Sequence, residues 1–408
     1  MKLCCLLVAL FVVQFAEAQH NKKAIFVIVD GIPADVIEKV QTPALDNIAA
    51  VGGYARAQVG GEIGGYSQTP TISAVGYNSL LTGTWANKHN VWDNDIDQPN
   101  YAYSTIFRLL KEQYPQRKTA VFSSWLDNRT KLVGDGMAAT GGQRVDFKYD
   151  GLELDTVRFP HDRKRDFMHR IDESVVDSVS SIIRSHAPDL TWVYLEYTDD
   201  IGHALGDSEA FYHSVRLMDK QISRIWQSIQ YRESKFKEDW VIYITTDHGR
   251  TKENGKGHGG QSERERLTWI VTDDDSLNSY FKSGKAAIVD IMPSIAAHLK
   301  IAIPDPVAFE IDGVRLNGPI SAIDAKASYK DDKLIINWKS IDPRGEAVIW
   351  VSGTNNFAKA GKDEYREMSR VPVSTERAEI DIKDVKSTFF KIVIQLPHNT
   401  LNRWVKVE

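Results

Sequence analysis

Apolar runs of strand length recur along the first part of the chain, and segments of helical period separate them. Residues 24–29 form a continuous apolar run closed by polar Asp30, and similar runs occupy 119–122, 191–195, 240–246 and 267–271. Between them, 103–114, 171–185 and 208–229 place apolar residues three and four apart, as one buried helix face requires. Strands apolar on both faces that alternate with helices predict an α/β fold, a mostly parallel sheet flanked by helices.

After about residue 305 the pattern changes. Residues 301–306 carry Pro304 and Pro306 and read as a domain edge. The segments 333–338, 347–351, 377–382 and 389–395 then alternate apolar and polar positions with turns, and no helix, between them. That spacing predicts a small β-sandwich, fibronectin-like, over 306–408, following a catalytic domain over 19–305.

The first residues have a different character. Lys2 is followed by an apolar run to Val13 and then Ala16-Glu17-Ala18, the layout of a secretory signal peptide cleaved after Ala18. The run is too short to span a bilayer comfortably. Cleavage would remove Cys4 and Cys5, both cysteines of the chain, leaving no disulfide, thiol nucleophile or thiolate metal site. The expected product is a secreted or periplasmic protein without stable membrane insertion. A formal net charge of -5 and the lack of a basic run argue against a nucleic-acid polymer as partner.

In open α/β sheets, ligands bind beyond the carboxyl ends of the strands. Three runs end in acids: Asp30 after the first, Asp199-Asp200-Ile201-Gly202-His203 after the third, and Asp247-His248-Gly249 after the fourth. One such acid is ordinarily a cap or turn residue. Three at one sheet edge, two with histidine, point to a metal centre, and carboxylate and imidazole without thiolate suit zinc or another divalent ion.

These three motifs, each at a strand end and in this order, resemble the alkaline phosphatase superfamily, and within it the type I phosphodiesterase/nucleotide pyrophosphatase group, over roughly residues 23–299. The resemblance implies a phosphoric ester hydrolase acting on a small-molecule phosphate ester. It implies two divalent metal ions, zinc by the donor set, and a hydroxyl nucleophile at the start of a helix. Six positions before Ser79, in the family's spacing, stands Ser73, with Thr71 and Thr69 as rivals. One ion would then be held by Asp30, Asp247, His248 and Ser73, the other by Asp199, His203 and a third histidine. His258, ten residues past His248 and just before the next strand run, takes that place, although the family's inserted segment is missing. His298 is the rival and sits in a helical stretch. Asn94, with the backbone N–H of Ala74, is the implied contact for a non-bridging phosphoryl oxygen.

Sulfatases are excluded, because their C/S-x-P-x-R signal would place its proline and arginine at Val75 and Tyr77. Monoesterases of one branch flank an acid with Lys and Arg, where this chain has Leu126 and Asn128 around Asp127. That favours a diester, while Arg129, a candidate substrate contact, and Lys131 keep a phosphomonoesterase as the alternative. An exported binding protein on a degenerate hydrolase scaffold is the alternative of another class. Every ligand position being filled by a competent residue argues against it.

Overall fold

The computed structural model describes residues 22–407, so the expected signal peptide lies outside the described residues. Seven strands build the main sheet: β1 (Lys22–Val29), β2 (Gly53–Gln58), β3 (Thr119–Ser123), β4 (Phe147–Tyr149), β5 (Leu190–Leu195), β6 (Asp239–Thr245) and β7 (Leu267–Thr272). Their order is β2-β7-β6-β1-β5-β3-β4. Strands β6, β1, β5, β3 and β4 are mutually parallel, and β7 pairs antiparallel with both β6 and β2. Among the described residues no helix is long and apolar enough to cross a membrane.

The principal helices are α1 (Pro43–Val51), α2 (Ser73–Thr82), α3 (Ile106–Gln113), α4 (Asp166–His186), α5 (Tyr197–Leu205), α6 (Glu209–Phe236) and α7 (Ile291–His298). Alternate residues of β1 serve the two faces of the sheet, as the period of a strand requires. Ile25, Val27 and Val29 pack with α1, α4 and α6, whereas Ala24, Phe26 and Ile28 pack with α2, α3 and α7. The apolar period in the sequence starts helix α4 at 171 and ends α6 at 229; α4 starts five residues earlier and α6 runs to Phe236.

Register sets the site. Val29 lies opposite Leu195, and Ile28 opposite Thr245. The residues that follow these strands, Asp30, the start of α5 and Asp247, therefore leave the sheet side by side.

Two further antiparallel sheets follow, from β8 (Ala322–Lys330), β9 (Lys333–Ser340), β10 (Glu346–Ser352), β11 (Arg366–Pro372), β12 (Arg377–Asp381), β13 (Phe389–Gln395) and β14 (Thr400–Lys406). Their orders are β11-β10-β13-β14 and β12-β9-β8. Their interior is continuous with the core on the α2 face of the main sheet. The stretch between them is stitched back to the first part of the chain. Asp312 and Gly313 donate backbone hydrogen bonds to Gly83 O at 2.9 and 3.1 Å, and Val314 donates to Asp290 Oδ1 at 2.6 Å.

Buried charge seals that junction. Lys88, in the turn after α2, donates to Asp312 Oδ1 at 2.7 Å, Glu310 O at 2.7 Å and Asn402 Oδ1 at 2.9 Å. Lys391 on β13 donates to Glu310 Oε1 at 2.6 Å and Asp363 Oδ2 at 2.8 Å, with its side chain 1% exposed. Removing one member of such a cluster strands the others away from water. Lys391→Met should therefore cost about 3–5 kcal/mol, read as a lowered urea midpoint. Lys326→Met, at an exposed position, should leave the midpoint nearly unchanged. Equal midpoints for both variants would mean that the cluster does not hold the junction.

Candidate metal centre and nucleophile

Asp30 is 1% exposed. Its Oδ2 accepts from the hydroxyls of Tyr77 and Tyr194, the latter at 2.7 Å. Its Oδ1 lies 3.3 Å from His248 Nε2. Asp247 accepts the Gly31 N–H on Oδ1 at 3.2 Å, and its Oδ2 lies 3.3 Å from the same His248 nitrogen. With the carboxylates ionised, neither Asp30 Oδ1 nor Asp247 Oδ2 has a hydrogen-bond partner. The tautomer of His248 follows from its other nitrogen. Nδ1 stands 2.9 Å from Gly249 O, which can only accept, so Nδ1 carries the proton and Nε2 turns a lone pair toward the acids.

Burial, then the charge of Asp199, pushes the Asp30 carboxyl up to about 7. Burial followed by the charges of Asp30 and Asp199 raises Asp247 well above its usual range, and burial holds His248 well below its own. Orphaned carboxylate oxygens facing an imidazole lone pair make a donor set that a divalent cation satisfies.

A second group adjoins the first. Asp199 sits in the first turn of α5, and His203 one turn later brings Nε2 to 3.2 Å from Asp199 Oδ2. His258 Nδ1 donates to Thr71 O at 2.9 Å, which leaves its Nε2 facing His203 Nε2 at 3.0 Å. The His258 ring also stacks on His248, with centroids 3.7 Å apart. Burial acts to raise the Asp199 carboxyl, but the His203 hydrogen bond and the Arg250 charge outweigh it and hold the group below its usual range. The hydrogen bond to Asp199 raises His203, and burial lowers His258. Ligand atoms of Asp199, His203 and His258, and likewise of Asp30, Asp199 and His248, lie within 4.8 Å of one another.

Ser73 opens α2 and places Oγ 3.3 Å from His248 Nε2. Gly76 lets the helix come this close, since a Cβ there would fall 2.8 Å from Asp247 O. The rival hydroxyls are engaged elsewhere. Thr71 Oγ1 donates to Gly260 O at 2.9 Å and accepts the Gly259 N–H at 3.0 Å, and Thr69 Oγ1 donates to Ser67 O at 2.9 Å.

Other expected contacts are placed differently. The Ala74 N–H donates to Asn94 Oδ1 at 3.0 Å, so it is not a free donor beside Asn94, and Asn94 Nδ2 is the group that remains. Arg129, expected at the substrate, instead pairs through Nε and Nη2 with Asp150 at 2.5 and 3.0 Å and through Nη1 with Asp135 at 2.5 Å. Lys131 pairs with Asp127 at 2.9 Å. His298 Nε2 lies 3.2 Å from Asp239 O, at the opposite end of β6 from the site. The sequence reading missed Arg250, which contacts Asp199, and the role of Tyr77 and Tyr194 as donors to Asp30. A cation directly after Asp-His-Gly was the one available signal for Arg250.

Comparison with known proteins bears on the same part of the chain. Residues 24–301 match the type I phosphodiesterase / nucleotide pyrophosphatase family. Ectonucleotide pyrophosphatase/phosphodiesterase family member 7 of Rattus norvegicus is 23% identical over 248 residues, covering 59% of this chain and 52% of that protein. The chain thus spans about half the length of this curated relative. Among solved structures, human ectonucleotide pyrophosphatase / phosphodiesterase 5 superposes with a TM-score of 0.51 at 15% identity, over 69% of this chain and 96% of that one. A putative sulfatase from Bacteroides thetaiotaomicron VPI-5482 gives 0.54 at 11% identity, over 85% of each chain. Both likenesses concern the alkaline-phosphatase-like fold. With more than half of its length inside the family match, the chain belongs to the type I phosphodiesterase / nucleotide pyrophosphatase family.

Proposed function

We propose that this protein is an exported phosphodiesterase that cleaves phosphate diesters with Ser73 as nucleophile and two divalent cations, zinc, as cofactors. The observation that carries the reading is the position of Ser73 Oγ, 3.3 Å from the His248 lone pair and at the head of a helix. Asp30, Asp247, His248 and Ser73 would hold one cation, and Asp199, His203 and His258 the other. Two such cations supply Lewis-acid charge for a phosphoryl oxygen and for the attacking and leaving oxygens of an in-line displacement.

The chain's own groups do the rest. The positive end of α2 lies behind Ser73 and favours negative charge on Oγ. Oγ bonds to phosphorus as the bond to the leaving oxygen breaks, and water then releases the phosphoryl group from Ser73. Asn94, oriented by the Ala74 N–H on its Oδ1, offers Nδ2 to a non-bridging oxygen. Charge argues for the diester. Leu126 and Asn128 are uncharged, and Arg129 and Lys131 are already matched by Asp135, Asp150 and Asp127. A monoester dianion would bring a second charged oxygen that neither Arg129 nor Lys131 is free to meet.

Elemental analysis of the purified protein should give about two divalent ions per chain, and Asp247→Ala should lower that content. A metal-free protein with full turnover in chelator would remove the two-cation reading. Ser73→Ala should abolish most turnover while keeping the metal content, and Thr71→Ala should do much less; the reverse ranking would make Thr71 the nucleophile. For substrate class, p-nitrophenyl diesters should exceed p-nitrophenyl phosphate in kcat/KM by roughly a hundredfold, since an unmatched charged oxygen costs several kcal/mol and each 1.4 kcal/mol is about tenfold. Faster monoester cleavage would assign the protein as a phosphatase.

A further inference from the structure

Arg250 follows the Asp-His-Gly motif directly and is wholly buried. Its Nε donates to Gly31 O at 2.9 Å, and its Nη2 donates to Asp199 O at 2.8 Å and to Asp199 Oδ1. Its Nη1 lies 3.3 Å from both Gly255 O and Lys256 O. One guanidinium thus joins the turn after Asp30, the helix that carries Asp199 and the segment that leads to His258. Helix α5 passes this close only because residue 202 is glycine, where a Cβ would fall 2.2 Å from Arg250 Cζ.

Asp199 faces both ligand groups. Its Oδ2 lies 3.2 Å from His203 Nε2, and its Oδ1 lies 4.0 Å from His248 Nε2. Arg250 occupies Oδ1. We propose that Arg250 is a positioning residue that makes Asp199 a one-sided ligand: it holds Oδ1 and the backbone of residue 199, so that only Oδ2 serves the His203/His258 position and the two cation positions stay distinct. The inference rests on the two-cation reading above. The planar fork matters as well as the charge, because a lysine offers no rigid pair of donors to reach Gly31 O and Asp199 together.

Zinc titration of the whole protein by calorimetry tests it, with Asp247→Ala and His258→Ala assigning the two binding events. Arg250→Lys keeps the charge and loses the fork, and should weaken the His203/His258 event by about 10–100-fold, the usual effect of losing a group that orients a ligand. The other event should keep its affinity. Gly202→Ala, which displaces the guanidinium with its charge intact, should give the same selective loss and serves if Arg250→Lys does not fold. If Arg250→Lys binds like the parent while Arg250→Gln binds more tightly at both positions, Arg250 is only a counter-charge and the proposal is overturned. A parent that binds two ions, with both variants unchanged, sinks the inference alone. A parent that binds none sinks the two-cation reading and the inference together.

Discussion

Asp30, Asp199 and Asp247 are brought together at one sheet edge, and two of them are fully enclosed in the core. Taking a carboxylate out of water costs several kcal/mol unless partners replace the lost hydration, and three such groups also repel one another. Much of the surrounding architecture answers that constraint. Tyr77 reaches Asp30 from α2 and Tyr194 reaches it from β5, while the Gly31 N–H serves Asp247 and Arg250 serves Asp199. The donors come from both sides of the sheet edge and leave Asp30 Oδ1 and Asp247 Oδ2 unserved beside the His248 lone pair. The acids are held apart by the fold and aimed at common points, which is what a cation requires of its ligands.

Holding those points fixed depends on more than the main sheet. The close approach of α2 to Asp247 positions Ser73, and the end of that helix is tied to the C-terminal part of the chain. Gly83 O accepts the backbone of Asp312 and Gly313, and Asp312 in turn pairs with Lys88. Through Glu310, Asn402 and Lys391 the same cluster reaches β13 and β14. The antiparallel sheets therefore brace α2 from its far end. A shift at the junction would be passed along α2 to Ser73, because closely packed interiors transmit displacement instead of absorbing it.

Much of this was legible in the sequence, and the limits have physical causes. The five apolar runs were legible as strands because they are short and unbroken, the length of a strand buried on both faces and too short for a helix, and all five lie in the main sheet. Asp30, Asp199, His203, Asp247 and His248 could be gathered because they follow the ends of three strands, whereas Ser73 and His258 rested on the spacing and order of the family they resemble. The short strands β2 and β4 escaped notice, as did β8, β11 and β14, whose charged and polar positions hide the period. Strand direction was equally hidden, since β7 reads the same whether parallel or antiparallel. Residues 301–306 read as a domain edge from their prolines, although the backbone just beyond them is bound by distant partners, Val314 N–H by Asp290 and Leu316 N–H by Ser294. Arg250 could not be picked out because its five acceptors lie on three separate segments.

The loop that carries Asn94 is fastened at several points. Its ends meet where Asn100 N donates to His89 O at 2.8 Å, and Lys131 Nζ donates to Asp95 O at 3.0 Å. Ile96 lies between them with φ 52°, in the left-handed region that a β-branched residue avoids, and its side chain is 4% exposed. Such a conformation costs on the order of 1–3 kcal/mol and persists only where the surroundings determine it. Here the buried side chain anchors the loop, and two residues earlier Asn94 receives the Ala74 N–H next to Ser73. Lys131 is thus used to fasten the loop, and on the proposed reading the group that meets a phosphoryl oxygen is the neutral amide of Asn94. On the proposed reading, the strain at Ile96 and the matching of Lys131 serve one end: a single uncharged donor, rigidly placed, on a substrate that carries one negative charge.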